Sequence, residues 1–201
     1  DVSELEELRA RLNEKWASQR GHLTLLALLV RAIVLAVRDF PQVNARFDDE
    51  AGVLTQHAAV HLGIATQTDG GLMVPVVREA QLLTLWQLAA EIARLSAAAR
   101  DGSAKPEELT GSTLTVTSLG PLGGIATTPV INRPEVAIIG PNKIVERAVF
   151  VPEGAGGERI EKRKLMNISI SCDHRVIDGW DAANFVQAVK RRIEAPMGLL
   201  A

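Results

Sequence analysis

Residues 165–193 restrict the fold more than any other stretch. Leu165-Met166-Asn167-Ile168-Ser169-Ile170-Ser171 alternates as a strand with one covered face does. A helical pattern runs from Trp180 to about Ile193. Between them lie Cys172, Asp173, His174, Arg175, Val176, Ile177, Asp178 and Gly179. A strand, a polar turn and a helix in succession place a histidine where a rigid strand positions a side chain and a loop leaves it accessible.

The rest of the chain supplies the layers around this unit. Ser3 with Glu6 reads as a capping box that opens a surface helix on Leu5, Leu8 and Leu12, running to about Trp16. Thr24 caps a second helix over 25–39 that is apolar on most sides, so it is buried, and Phe40-Pro41 ends it. Residues 53–57 and 58–65 read as extended. Asp69-Gly70-Gly71 is a hairpin tip, and 72–77 is a strand marked as edge or bulged by Pro75. Thr84 and Gln87 form a second capping box, opening a helix over about 85–100 that Asp101-Gly102 stops. Residues 112–117 form a strand ending in a glycine-rich loop, 118–124. Short apolar segments follow at 129–131 and 136–139, then two long strands, 143–151 and 159–171, joined by 152–157. Helices and strands alternate irregularly with hairpins among them. The pattern is an α/β, two-layer sandwich on a mixed sheet, in one domain over 1–201.

Composition closes off several functions. The net charge of −2 argues against binding nucleic acid through a basic surface. The apolar run 23–37 is broken by Thr24 and Arg31 and is too short for a membrane span, and there is no signal-peptide pattern. Cys172 is the only cysteine, so neither an intrachain disulfide nor a cysteine zinc cluster can form. The chain opens at Asp1 in mid-pattern, which reads as a fragment of something longer.

His174 is the candidate general base. An imidazole takes a proton from a thiol at modest cost, their ordinary pKa values being about 6.5 and 8.5. Asp178 reads both as the N-cap of the last helix and as support for the histidine. Cys172 shares a strand face with His174, but no third orienting group is evident, and it reads as a packing residue. The loop at 118–124 lacks the Gly-Lys-Ser/Thr ending of a nucleotide cradle. Its better use is to bring Thr117 or Ser118 to an oxyanion. His57 and His61 have metal-pair spacing but an extended local pattern and no third ligand, and read as surface or core residues.

Asp-His-Arg-Val-Ile-Asp-Gly at 173–179 resembles the signature of the acyltransferase components of 2-oxo acid dehydrogenase complexes, and is similar to that of chloramphenicol acetyltransferase. Supporting stretches are 71–77, 109–113, 115–124 and 128–140, in the family's order. The resemblance implies a coenzyme A-dependent acyltransferase fold whose homotrimers build a 24-subunit or 60-subunit core. It implies acyl transfer from a dihydrolipoyl arm to coenzyme A with His174 as base, Asp178 as support, and Thr117 or Ser118 as oxyanion donor. It implies as partners the decarboxylase/dehydrogenase and dihydrolipoamide dehydrogenase components, in the bacterial cytoplasm or, in a eukaryote, the mitochondrial matrix. No metal is implied.

Set against the family, residues 1–201 are expected to lack an N-terminal segment of about thirty residues of the catalytic domain, and the lipoyl and subunit-binding domains. The wording of 118–125 and 134–140 is closest to the branched-chain members. An acetyl-transferring member and a mainly structural assembly core are the alternatives. Trp180 stands where the family commonly has a small residue.

Overall fold

The computed structural model describes residues 1–154 and 156–200, position 121 by its backbone alone. Helix α1 spans Ser3–Arg20 and buries Leu5 and Leu8. It extends past Trp16, and its expected capping box does not form. Val2 is the N-cap, and Ser3 Oγ instead accepts from the Lys164 backbone N–H at 2.9 Å, while Glu6 pairs with Arg9. A long-range bond has taken the hydroxyl that a local reading assigns to the cap. Helix α2, Leu25–Val37, is capped by Thr24, whose Oγ1 accepts from Ala27 N at 3.3 Å. It is apolar on most sides because α1 and two later helices pack around it.

Strands β1 (Ala45–Asp48) and β2 (Val53–Gln56) form a separate antiparallel hairpin across the acidic turn 49–52. Strand β3 (Leu62–Thr68) turns at Asp69-Gly70 into β4 (Gly71–Met73), and β5 (Val76–Val77) pairs back onto β3. The strand expected over 72–77 is therefore two. Pro75 has no N–H for the ladder, though its carbonyl accepts from Ile64 N at 2.8 Å. Helix α3 (Leu85–Asp101) carries the Thr84–Gln87 capping box and ends at Gly102, whose φ of +76° suits glycine. Strand β6 is Leu114–Thr117.

Strands β7 (Ala137–Glu153) and β8 (Gly157–Cys172) form a long antiparallel hairpin. The expected segments 136–139 and 143–151 are joined into β7 by a bulge between Pro141 and Ile144. Asn142 fills that bulge, its Nδ2 donating to Gly140 O, Asn167 O and Ser169 Oγ. Of the linking turn, Ala155 lies outside the described residues. Helix α4 (Gly179–Glu194) closes the chain's regular structure.

The sheet order is β4-β3-β6-β7-β8, parallel at β3–β6 and β6–β7 and antiparallel elsewhere, so the expected mixed sheet is present. Leu62, Ile64, Leu114, Val116, Ala137 and Ile139 project into one core with the helices. Phe185 of α4 is fully buried there and meets Phe40 edge-on, ring centroids 5.8 Å apart. Thr115 projects to the opposite face, against the loop that precedes β7. Among the described residues no single helix is long and apolar enough to cross a membrane.

Candidate active site

The turn after β8 is held by its own backbone. Asp173 N donates to Val136 O at 2.8 Å, one further rung of the β7–β8 ladder. Asp173 O then accepts from Val176 N and Ile177 N, both at 3.0 Å, and its Oδ1 accepts from Arg175 N at 3.0 Å. Ile177 is fully buried and anchors the far end. Asp178 Oδ1 accepts from Asp181 N at 2.8 Å and caps α4. Caps of this kind contribute about 1 kcal/mol. His174 stands exposed between these fixed points, and among the described residues its ring has no hydrogen-bond partner. Asp178 does not bond to it within the chain.

The charges around the turn are paired. Arg175 holds the Asp173 carboxylate through Nε at 2.9 Å, and this lowers the Asp173 pKa. Cys172 is half-buried, with Sγ 4.0 Å from Ile177 O. Burial, then the nearby negative charge of Asp173, raises its pKa. A thiol that resists ionisation is a poor nucleophile, which agrees with packing.

Thr117 ends β6 and is half-buried, with no hydroxyl partner among the described residues. Ser118 Oγ accepts from Gly120 N at 3.2 Å and shapes the glycine-rich loop. Beside Ser118 a cavity of about 400 Å³ opens between Leu25, Leu29, Ile144 and Met166, with Lys143 and the Glu6–Arg9 pair at its edge.

The two halves of the candidate site do not meet within one chain. The register Val116↔Ile139 carries Thr117 to the level of Gly140, which pairs with Ser169. Asp173, the last residue on the ladder, lies four residues further along, or about 13 Å, and two strand spacings, about 10 Å, to the side, and His174 follows it in the turn. The ladder that carries His174 therefore ends about 16 Å from Thr117.

One group escapes the sequence reading. Glu135 is 4% exposed, and its Oε1 receives Thr115 Oγ1 at 2.9 Å, Asn132 Nδ2 at 3.0 Å and the Ser112 hydroxyl. Oε2 is buried with no partner among the described residues. Burial is the main influence on this carboxyl and raises its pKa, against the lowering effect of the three hydrogen bonds. A charged residue set directly before a buried apolar strand was the available signal. His57 and His61 are not brought together around a metal. His61 Nδ1 accepts from Glu79 N at 3.2 Å, and among the described residues no group of three or more metal-ligating side chains exists. Burial lowers the pKa of both histidines.

A family model, "2-oxoacid dehydrogenases acyltransferase (catalytic domain)", matches residues 1–201. The lipoamide acyltransferase component of the branched-chain alpha-keto acid dehydrogenase complex of Pseudomonas aeruginosa is 61% identical over 99% of this chain and 45% of its own length. The acetyltransferase component of the pyruvate dehydrogenase complex of Mycobacterium bovis is 37% identical over 96% of this chain and 35% of its own. The chain thus spans less than half the length of these relatives. Among solved structures, the Azotobacter vinelandii dihydrolipoamide acetyltransferase superposes with a TM-score of 0.90 at 34% identity, covering all of this chain and 81% of that one. A chloramphenicol acetyltransferase at 16% identity and TM-score 0.60, covering 96% of this chain and 83% of its own, shares the fold. The full-length family match and these identities place the chain: it belongs to the acyltransferase catalytic-domain family of the 2-oxo acid dehydrogenases.

Proposed function

We propose that this domain transfers an acyl group, branched-chain by preference, from an acyl-dihydrolipoyl arm to coenzyme A. His174 takes the proton of the coenzyme A thiol, and the thiolate attacks the thioester carbonyl. The carbon–sulfur bond to the dihydrolipoyl arm then breaks, and His174 returns the proton to the departing thiolate. No acyl-enzyme forms. The observation that carries this reading is an exposed imidazole with no partner among the described residues, on a turn fixed at both ends. An imidazole engaged by the protein would have to break a bond before taking a proton.

Thr117 supplies the hydrogen bond to the oxyanion. Its hydroxyl is without a partner among the described residues, whereas Ser118 already accepts from its own loop. Given the separation of Thr117 from His174, a working site draws them from two copies of the chain. This supports the trimer-based core, as 24-mer or 60-mer. One relative of known structure, 35% identical with a TM-score of 0.90, is described as the cubic core of a pyruvate dehydrogenase multienzyme complex. The decarboxylase/dehydrogenase and dihydrolipoamide dehydrogenase components are the proposed partners. In the Azotobacter enzyme, a serine, a histidine and an asparagine were studied for their catalytic roles, the last two four positions apart, as His174 and Asp178 are. The cavity beside Ser118 has an apolar floor for a pantetheine arm and Lys143 at its edge for phosphate. The branched-chain preference rests on 61% identity to the branched-chain relative against 37% to an acetyl-transferring one.

The test is thioester exchange with acetyl-, isobutyryl- and succinyl-dihydrolipoamide as donors and coenzyme A as acceptor. His174→Ala is expected to cut turnover by about 10²–10⁴-fold. Near-normal turnover in that variant would refute the mechanism. Greater damage from Ser118→Ala than from Thr117→Ala would reassign the oxyanion donor, and fastest exchange with the acetyl donor would refute the branched-chain preference.

A further inference from the structure

We infer that Asp49, in the turn of the β1–β2 hairpin, is a positioning residue for His174 and acts through Arg175. This rests on the reading of His174 as the base. Among the described residues, no side chain holds the imidazole itself, so its place is inherited from the backbone of 173–177. That turn is tied along the chain by Asp173 and Ile177 and to β7 by the Asp173 N–Val136 O bond, and its side-chain tie to the β1–β2 hairpin is Arg175. The Arg175 guanidinium divides its donors: Nε faces Asp173, while Nη1 donates to Asp49 Oδ1 at 2.8 Å. Its Cζ also lies 4.1 Å from the Phe47 ring centroid.

Asp49 ties a second segment as well. Its Oδ2 accepts from Arg133 Nε at 3.0 Å. Arg133 lies three residues before Val136, whose carbonyl receives Asp173 N. Phe47 N donates to Pro134 O at 2.9 Å, and Arg46 bridges to Glu135. One carboxylate therefore joins the hairpin to both segments that meet beneath His174. Ala45 and Phe47 pack the base of the hairpin against the core, but the Asp49 turn is joined through its charges. A cavity of about 620 Å³ opens between the hairpin and the 133–134 turn, lined by Arg46, Phe47, Asp49, His57, Arg133 and Pro134.

These ion pairs are largely exposed, with Arg175 at 55% and Asp49 at 37%. Exposed pairs contribute little to stability. Losing Asp49 therefore leaves the fold standing and frees the turn to shift. A base misplaced by about 1 Å loses up to about 10²-fold in rate. The loss then falls on kcat, because coenzyme A binding does not depend on where the imidazole rests.

The experiment uses the full-length assembled protein, with coenzyme A and isobutyryl-dihydrolipoamide as substrates and His174→Ala as control. Asp49→Ala is expected to lower kcat about tenfold with the KM for coenzyme A unchanged within about twofold. Asp49→Glu should recover most of that loss. In an Arg175→Ala background, Asp49→Ala should cost nothing more, because it acts through that arginine. Full kcat in Asp49→Ala beside an inactive His174→Ala overturns the inference. So does a loss that Asp49→Glu does not recover and that comes with a lower melting temperature, or one that multiplies with Arg175→Ala. If Asp49→Ala does not assemble, isosteric Asp49→Asn is read by the same criteria. An active His174→Ala would instead overturn the base assignment beneath it.

Discussion

Mixed assemblies of two inactive chains test whether the site spans two copies. His174→Ala removes the base and Thr117→Ala the oxyanion donor. Within one chain the ladder that carries His174 ends at Asp173, about 16 Å by register from the backbone of Thr117. The reach of the two side chains, about 7 Å together, does not close that span. Each pure variant should be nearly inactive, with Thr117→Ala losing about 10²–10³-fold. When the two are co-expressed in equal amounts, a site needs a Thr117→Ala chain for its histidine and a His174→Ala chain for its hydroxyl. Each is present with a chance of about one half, so about a quarter of sites are intact whatever the ring size. The assay is thioester exchange on the co-assembled protein, per mole of sites. Recovery to about a quarter of native turnover confirms the two-chain site. Activity that stays at the mean of the two parents shows that both groups serve one chain's own site.

Three further outcomes follow from the packing and the pKa directions. Because burial raises the Glu135 pKa in the folded state, its contribution to stability is complete below the unfolded value and is lost as pH rises through the folded one. Glu135→Gln should therefore gain on the native protein in urea midpoint as pH rises above the ordinary carboxyl range. A difference between the two that does not change with pH refutes this. Cys172→Ala should keep most of the turnover, since the thiol resists ionisation; inactivation would make it a nucleophile. Phe185→Ala should destabilise the fold by roughly 3–5 kcal/mol, the usual cost of emptying a buried aromatic site. A urea-midpoint shift equivalent to less than about 1 kcal/mol would show that α4 is not anchored by this ring.

Short-range chemistry made much of the fold legible. The Thr84–Gln87 box, the Thr24 cap and the Asp178 cap involve residues three apart, and all three formed where the pattern placed them. The Ser3–Glu6 box has the same spacing and failed, because Lys164 lies close enough in space to take the Ser3 hydroxyl. Pro141-Asn142 reads as a break, yet β7 runs through it, since the Asn142 side chain satisfies groups on β8 that no local pattern shows. Glu135 went unnoticed for a similar reason. Asn132 is three residues away, but Ser112 and Thr115 reach it only once β6 and β7 are paired.

The sequence by itself determined that His174 stands on a strand–turn–helix junction, that Asp178 caps the helix after it, and that Thr117 ends a strand before a glycine-rich loop. Each of these depends on backbone geometry over a few residues, and periodicity and capping report that geometry. Only the tertiary structure decided that the ladder carrying His174 ends about 16 Å from Thr117 in one chain, because that distance depends on the register of three strands drawn from distant parts of the sequence. It also decided that Arg175 reaches Asp49, 126 residues away. Hydrogen bonds and ion pairs act at about 3 Å in space whatever the separation along the chain, so these contacts existed only once the sheet had set which segments are neighbours.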